Sequence, residues 1–343
     1  MKIAVFVPRP AIAAQTLFLA LFLTACNSKD NQQRAADVGT SDPIISQLTQ
    51  EIGKNPNDAS LYFNRAQRYY QNEGYDEAIQ DLGKALSIDT INPGYLHLLA
   101  DVYLDYFRSR EALKTMEKAA SLHPTRIPTL LKLSEFQLIL KQYEPSLATI
   151  DRILQVDPQN AEAFFMMGLN FKESGDTARA INAFQQSVEY DPDLIDSWIN
   201  LGQLQAALGN PIAERYFDSA IRINTASIPA LHAKAFYLQS QGKLLPAIRL
   251  FQEITRIEPQ YADAHYNAGL LYLDLDSIPQ AYRAFDLAIQ TDPVHIRSYF
   301  YRGLCSEMQG RYEKARADYR QALSFSPDYA DPAAALRRIQ EKK

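Results

Sequence analysis

From Pro43 to the C-terminus, apolar residues recur with a helical period, and polar residues fill the places between them. The segment before it, Asn27 to Asp42, has no such period and no aromatic residue, which predicts a disordered tether. Sixteen flexible residues of that kind reach roughly 20–25 Å. The helical stretch has a second, longer period, which the prolines mark. Pro124, Pro158 and Pro192 stand 34 residues apart, as do Pro259, Pro293 and Pro327. Thr90 and Thr225 take the same place where the proline is missing. The frame divides residues 57–327 into eight repeats: 57–90, 91–124, 125–158, 159–192, 193–225, 226–259, 260–293 and 294–327.

Three further positions keep the same register. A small residue recurs as Ala66, Ala100, Ser134, Gly168, Gly202, Ala235, Gly269 and Gly303. A second small residue recurs as Ala78, Ala112, Ser146, Ala180, Ala213, Ala247, Ala281 and Ala315. Four residues after it comes a large one: Leu82, Met116, Ile150, Phe184, Phe217, Phe251, Phe285 and Tyr319. Small residues allow two helices to approach closely, and the large ones fill the space between neighbouring pairs. No single pair can bury its apolar stripe alone. A bulky residue also precedes each first small position by four, as in Tyr62, Phe164, Trp198 and Tyr299. With a period of 34, this pattern resembles the tetratricopeptide repeat at every one of the eight units. The resemblance implies an all-α fold, a tetratricopeptide-repeat solenoid in which antiparallel helix pairs, A then B, stack into a right-handed superhelix.

Proline and glycine agree with that frame. Pro93, Pro128 and Pro229 fall at the start of helix A, and Pro145, Pro211, Pro246 and Pro279 at the start of helix B. Gly74, Gly175, Gly209, Gly242 and Gly310 fall at the turn between A and B. The 33-residue repeat, 193–225, is expected to have lost its residue at that turn. Residues 43–56, with Ile44, Ile45, Leu48 and Ile52 on one face, read as a lone N-terminal half-repeat. Residues 328–343 read as a capping helix, in which Arg337 takes the place of a small residue.

The first 25 residues read as a targeting segment. Lys2 and Arg9 precede an apolar run, Ala11 to Leu23, that is short of the roughly 20 residues a membrane-spanning helix needs. It ends in Leu23-Thr24-Ala25-Cys26, which resembles a bacterial lipobox. The resemblance implies lipidation at Cys26 and anchoring through N-terminal acyl chains in a bacterial cell envelope of the Gram-negative, Bacteroidetes type. Asn27 after the cysteine favours the outer membrane. Four Asp-Ser/Thr tripeptides, at Thr90, Thr177, Ser219 and Ser277, resemble the O-glycosylation signal of such bacteria. Composition adds two limits. A net charge of −5 argues against a nucleic-acid partner. Two cysteines, Cys26 and Cys305, imply no disulfide framework.

Catalytic patterns are missing from the sequence. It has no phosphate loop, no zinc motif and no nucleophile elbow. The five histidines lie in different repeats without ligand spacing, so neither a metal nor another cofactor is expected and the chain is not expected to be an enzyme. What remains is the face that helices A present to the groove in the family. Its main stripe is Phe63, His97, Leu131, Phe165, Ile199, His232, Tyr266 and Phe300, and the next position holds asparagine three times, at Asn64, Asn200 and Asn267. Two readings stand side by side. The stripe is a groove for a protein or peptide segment, with asparagines offering amides to its backbone; or it packs against the next helix A. The resemblance implies a lipid-anchored scaffold or adaptor, similar in plan to pilotins and to assembly factors of secretion or cell-wall complexes. The alternative is a ligand-binding lipoprotein accessory to outer-membrane nutrient uptake.

Overall fold

A computed structural model of the chain describes residues 42–340. The signal segment, Cys26 and most of the tether lie outside the described residues, as do residues 341–343. Among the described residues there are 18 α-helices and no strand. The chain divides into two compact units, with the boundary after Ala112.

The first unit holds α1 (Pro43–Lys54), α2 (Ala59–Gln71), α3 (Tyr75–Ile88) and α4 (Pro93–Asp105), and α5 (Ser109–Leu122) carries the boundary. Here α1 packs on α2, α2 on α3, and α3 on α4. Ala66, Ala78 and Leu82 form its core with Leu99 and Val102. The N-terminal end corrects the extent of the tether. Asp42 is folded and buried: its Oδ1 accepts from the amides of Ile44 and Ile45, and its Oδ2 accepts from Arg68 and Asn72. An N-cap carboxylate with four donors is fixed, not flexible.

The second unit holds α6 (Ile127–Ile139), α7 (Tyr143–Val156), α8 (Ala161–Glu173), α9 (Thr177–Tyr190), α10 (Ile195–Ala207) and α11 (Ala213–Ile223). It continues with α12 (Ile228–Ser240), α13 (Leu244–Ile257), α14 (Ala262–Asp274), α15 (Ile278–Thr291), α16 (Ile296–Met308), α17 (Tyr312–Phe325) and α18 (Ala330–Ile339). Each helix packs on the next from α6 to α18, and helices A also meet: α6 touches α8, α10 touches α12, and α16 touches α18. This is the all-α tetratricopeptide-repeat solenoid that the period implied.

The register positions explain the packing. All eight residues at each small position and at the large position are buried. Within four repeats the small residue is glycine for a steric reason. A Cβ on Gly168, Gly202, Gly269 or Gly303 would come within 2.6, 2.5, 2.7 and 2.7 Å of the rings of Phe184, Phe217, Phe285 and Tyr319. Where the large residue is Leu82, Met116 or Ile150, alanine or serine takes the small place, and Ala235 takes it with Phe251. The bulky aromatic near the start of helix A has a polar tip, and it reaches back to the preceding loop. Tyr62, Trp198 and Tyr299 donate to the carbonyls of Pro56, Pro192 and Pro293 at 3.1, 2.8 and 3.1 Å.

The turns differ from expectation in two places. The left-handed residue of the A–B turn is Gly175, Gly209, Gly242 or Gly310 in four repeats, but Glu73, Phe107, Lys141 and Asp276 in the others, with φ between 52° and 61°. Gly74 stands one residue later, at φ −81°, and caps α3. In the 33-residue repeat the turn is longer, Leu208 to Ile212, and α11 is only 11 residues long. The missing residue has been taken from helix B, because Asn210 precedes Pro211 and the residue before proline resists the helical region. Asn210 Oδ1 caps the amide of Ile212 at 3.1 Å.

Candidate groove on the helix A face

The predicted stripe divides between the two units. In the first, Phe63 is half-buried with its ring 4.9 Å from Tyr95, His97 is half-buried, and Asn64 is exposed. In the second, Leu131, Phe165, His232, Tyr266 and Phe300 are half-buried, and Ile199 is buried at 6% exposure. The aromatic members lean on the large residue of their own helix B. Phe165 lies 5.8 Å from Phe184, His232 5.8 Å from Phe251, Tyr266 5.9 Å from Phe285, and Phe300 5.8 Å from Tyr319. Each ring therefore joins the core on one side and borders the groove on the other.

The asparagines are not alike. Asn200 is engaged inside the protein: its Nδ2 donates to the carbonyl of Asp196 at 2.8 Å, and its Oδ1 accepts from Lys172 Nζ at 2.7 Å. Burial holds the Lys172 ammonium below its ordinary range. Asn64 and Asn267 have no hydrogen-bond partner among the described residues, so two amides of the three are free to meet a ligand.

The groove opens into a cavity of about 460 Å³ between α10 and α12. Pro229, His232, Ala233, Phe236 and Ser240 line it from α12, at the spacing i, i+3, i+4, i+7 and i+11 that defines one face of a helix. Ile199, Gln203 and Ala206 face them from α10, and the buried rings of Phe217 and Tyr237 close the bottom. Phe236 is 43% exposed, with its ring 4.6 Å from His232 and 5.8 Å from Phe251. Sequence reading missed it. It lies one helical turn after His232, and following the face one turn further would have found it. Burial holds the His232 imidazole below its ordinary value, with Asp263 pulling weakly the other way. The ring is neutral at neutral pH and acts as an aromatic wall.

Towards the C-terminus the aromatic lining thickens. Tyr266, Tyr301, Phe300 and Tyr329 follow one another at centroid distances of 5.8, 5.0 and 5.6 Å. His295 is held between two elements: its Nδ1 accepts from the Ser298 amide at 3.3 Å, so the proton sits on Nε2, 3.1 Å from Asp263 Oδ1. A larger cavity of about 740 Å³ lies by the A–B turns of the third and fourth repeats. Its Arg179 is consumed by Asp176 at 2.6 Å and by the face of Phe171 at 4.4 Å, so it offers little to a ligand. Cys305 is buried, and burial pushes its thiol up to about 12, which removes it as a nucleophile near neutral pH. Among the described residues no helix is long and apolar enough to cross a membrane.

Known proteins share this plan. Family models described as tetratricopeptide repeat match residues 59–92, 162–193, 232–296 and 296–329. Over 300 residues the chain is 24% identical to a DnaJ homolog subfamily C member 7 homolog of Dictyostelium discoideum, covering 82% of this chain and 51% of that one. Over 275 residues it is 22% identical to an Hsp70-Hsp90 organizing protein of Triticum aestivum, covering 80% and 42%. The chain thus spans about half the length of these curated relatives, or less. Among solved structures, it is similar to the C-terminal part of a TPR repeat-containing protein from Cytophaga hutchinsonii, with TM-score 0.56, 16% identity and coverage of 69% and 98%. It is also similar to the APC/C hetero-tetramer Cut9-Hcn1, with TM-score 0.50, 18% identity and coverage of 92% and 60%. Both structural likenesses speak for the fold alone.

Proposed function

Because the chain carries tetratricopeptide repeats and folds as their solenoid, we propose that it is a non-enzymatic scaffold that gathers other proteins through the groove of its helices A. The observation that carries this reading is the α10–α12 cavity with Phe236 standing exposed at its edge. An exposed aromatic beside an apolar depression loses water-exposed surface when a partner side chain enters, and such aromatic anchors dominate binding energy. An extended segment suits the groove of the second unit, since the free amide of Asn267 offers a donor pair and an acceptor to a peptide backbone. Similarity to an Hsp70-Hsp90 organizing protein is in keeping with a gathering role, without naming the partners here.

In this proposal Cys26 carries the acyl chains, and the tether lets the repeats work near a bacterial outer membrane. Two or more chains hold a protein stably where one gives only marginal binding. Both halves are open to test in cells. Cys26→Ala should release the protein from membranes or leave it unprocessed; unchanged fractionation and migration would end the anchor reading. Phe236→Ala should weaken cross-linked capture of partners by more than about tenfold, equivalent to about 1.4 kcal/mol, while the melting temperature holds. Undiminished capture by a well-folded variant would end the groove reading.

A further inference from the structure

The aromatic part of the groove, from α10 to α18, carries an uneven set of charges. Asp196, Asp263, Asp274 and Asp331 are exposed on the helices A of this stretch, and so are Arg297 and Arg337. Glu307 and Arg338 cancel each other at 2.7 Å. The chain as a whole is more balanced, with 35 basic and 40 acidic residues, so four carboxylates to two cations is a local feature.

These charges converge on the aromatic floor. Burial pushes the Tyr301 hydroxyl up, Asp331 and Asp274 add to it, and Tyr266 and Arg297 oppose them. Asp331 acts in the same way on Tyr329, whose hydroxyl rises to about 12 chiefly through burial. Asp263 is close enough to His232 to favour its charged form. Asp274 has no cationic partner among the described residues, and partial desolvation alone holds its carboxyl above the usual range. A carboxylate left unneutralised beside an apolar floor is more favourable once a cation arrives. The aromatic faces favour a cation as well.

We infer that this stretch of groove takes an extended protein segment in which lysine or arginine side chains flank aromatic or aliphatic ones. The inference rests on the groove proposed above and names the chemistry of its occupant. The apolar side chain enters the α10–α12 cavity beside Phe236. The long basic side chains lay their methylene stems on the tyrosines and bring their charged heads to Asp263, Asp274 and Asp331. An acidic segment is repelled by the same carboxylates, so the groove is selective by repulsion as well as attraction.

The test uses the full chain and three labelled peptides with identical phenylalanine and leucine positions, the remaining positions being all lysine, all glutamine or all glutamate. Fluorescence anisotropy at low and at physiological ionic strength reads their affinities. The lysine peptide should bind at least about tenfold more tightly than the glutamate peptide, with the gap narrowing as salt is added. Asp263→Asn combined with Asp274→Asn should remove most of that gap and leave the glutamine peptide unaffected, in a protein that melts as the parent does. Equal affinity for the lysine and glutamate peptides, or a gap that survives the double substitution, would overturn the charge selection while the groove stands. Binding of no peptide would overturn both the groove and its selectivity.

Discussion

Helices A and helices B of one repeat spend their apolar residues differently. On α13, a helix B, the buried residues Ala247, Ile248, Phe251 and Ile254 form one stripe, Arg249, Gln252 and Arg256 stand exposed opposite, and Leu245 and Ile257 are exposed at its ends. That is the ordinary amphipathic helix of a protein surface. On α12, the helix A before it, burial runs almost all round, and the exposed residues are Pro229, Phe236 and Ser240. A helix sandwiched between its partner B and the neighbouring helices A has one narrow strip left. Only Ser240 in that strip is polar, although solvation alone would favour polar residues throughout. On α12 that strip carries a large aromatic ring which folding leaves partly uncovered beside a cavity.

The largest effect should come from breaking the contact that joins A to B. In Gly202→Leu the side chain has nowhere to go, because the Phe217 ring already lies 2.5 Å from a Cβ at that site. Overpacking of this kind costs about 3 kcal/mol or more. Lys243→Ala on the surface loses only an exposed ion pair with Glu214, 2.8 Å long, and should change stability by less than about 1 kcal/mol. Urea melts compare the two. Equal midpoints would mean that the A–B register is wrong.

A polar counterpart of that contact should come next. Arg302 on α16 bridges Asp286 and the buried Asp318, both at 2.6 Å. Burial pushes the Asp318 carboxyl up even against the pull of Arg302. Arg302→Met strands that carboxylate, at a cost of about 2–3 kcal/mol, below the full buried-pair value because Asp286 is a third exposed. Adding Asp318→Asn should restore part of the loss. If the double variant melts no later than the single one, the pairing contributes through something other than the stranded charge.

The turn that joins A to B offers a smaller change in the opposite direction. Phe107 is 93% exposed at φ 59°, in a place where four other repeats have glycine. Phe107→Gly should stabilise by about 1 kcal/mol, since a bulky residue pays roughly that to be left-handed. A lower melting temperature would show that the ring has contacts worth more than its strain.

The smallest effect concerns α1, which caps the first unit. The Asp42 carboxylate, held by Asn72, Arg68 and two amides, is pulled down from 3.8 to about 2. Its folded pKa lies below the unfolded one, so its contribution is complete above about pH 4 and is lost as pH falls towards 2. Asp42→Asn should therefore melt earlier than the parent at pH 6 and converge with it at pH 2. A constant difference across that range would assign the effect to packing.

Most of the scaffold was legible because burial repeats with the period. Any residue wedged between two helices every 34 positions must be small or large in step, and the small place of Gly202 with the large place of Phe217, or that of Ser134 with Ile150, could be read from spacing alone. Features that break the repetition were not. Asp42 looks like tether until Arg68 and Asn72 are folded against it. Glu73 and Phe107 take a left-handed turn that only glycine advertises. The groove was half legible: the stripe lies at the edge the register implied, and Ile199 and His232 line its cavity, but which further side chains face solvent depends on helix rotation, and so Phe236 was overlooked.

The comparison of the two helix faces comes down to where a partner touches. A photo-cross-linking residue in place of Phe236 on α12, and the same residue in place of Leu287 on α15, report on each face; both natural side chains are similarly exposed, at 43% and 44%. Illumination in cells followed by mass analysis of adducts should give protein partners from the Phe236 site and none from the Leu287 site. Adducts from Leu287 with none from Phe236 would contradict the account and move the binding surface to helices B.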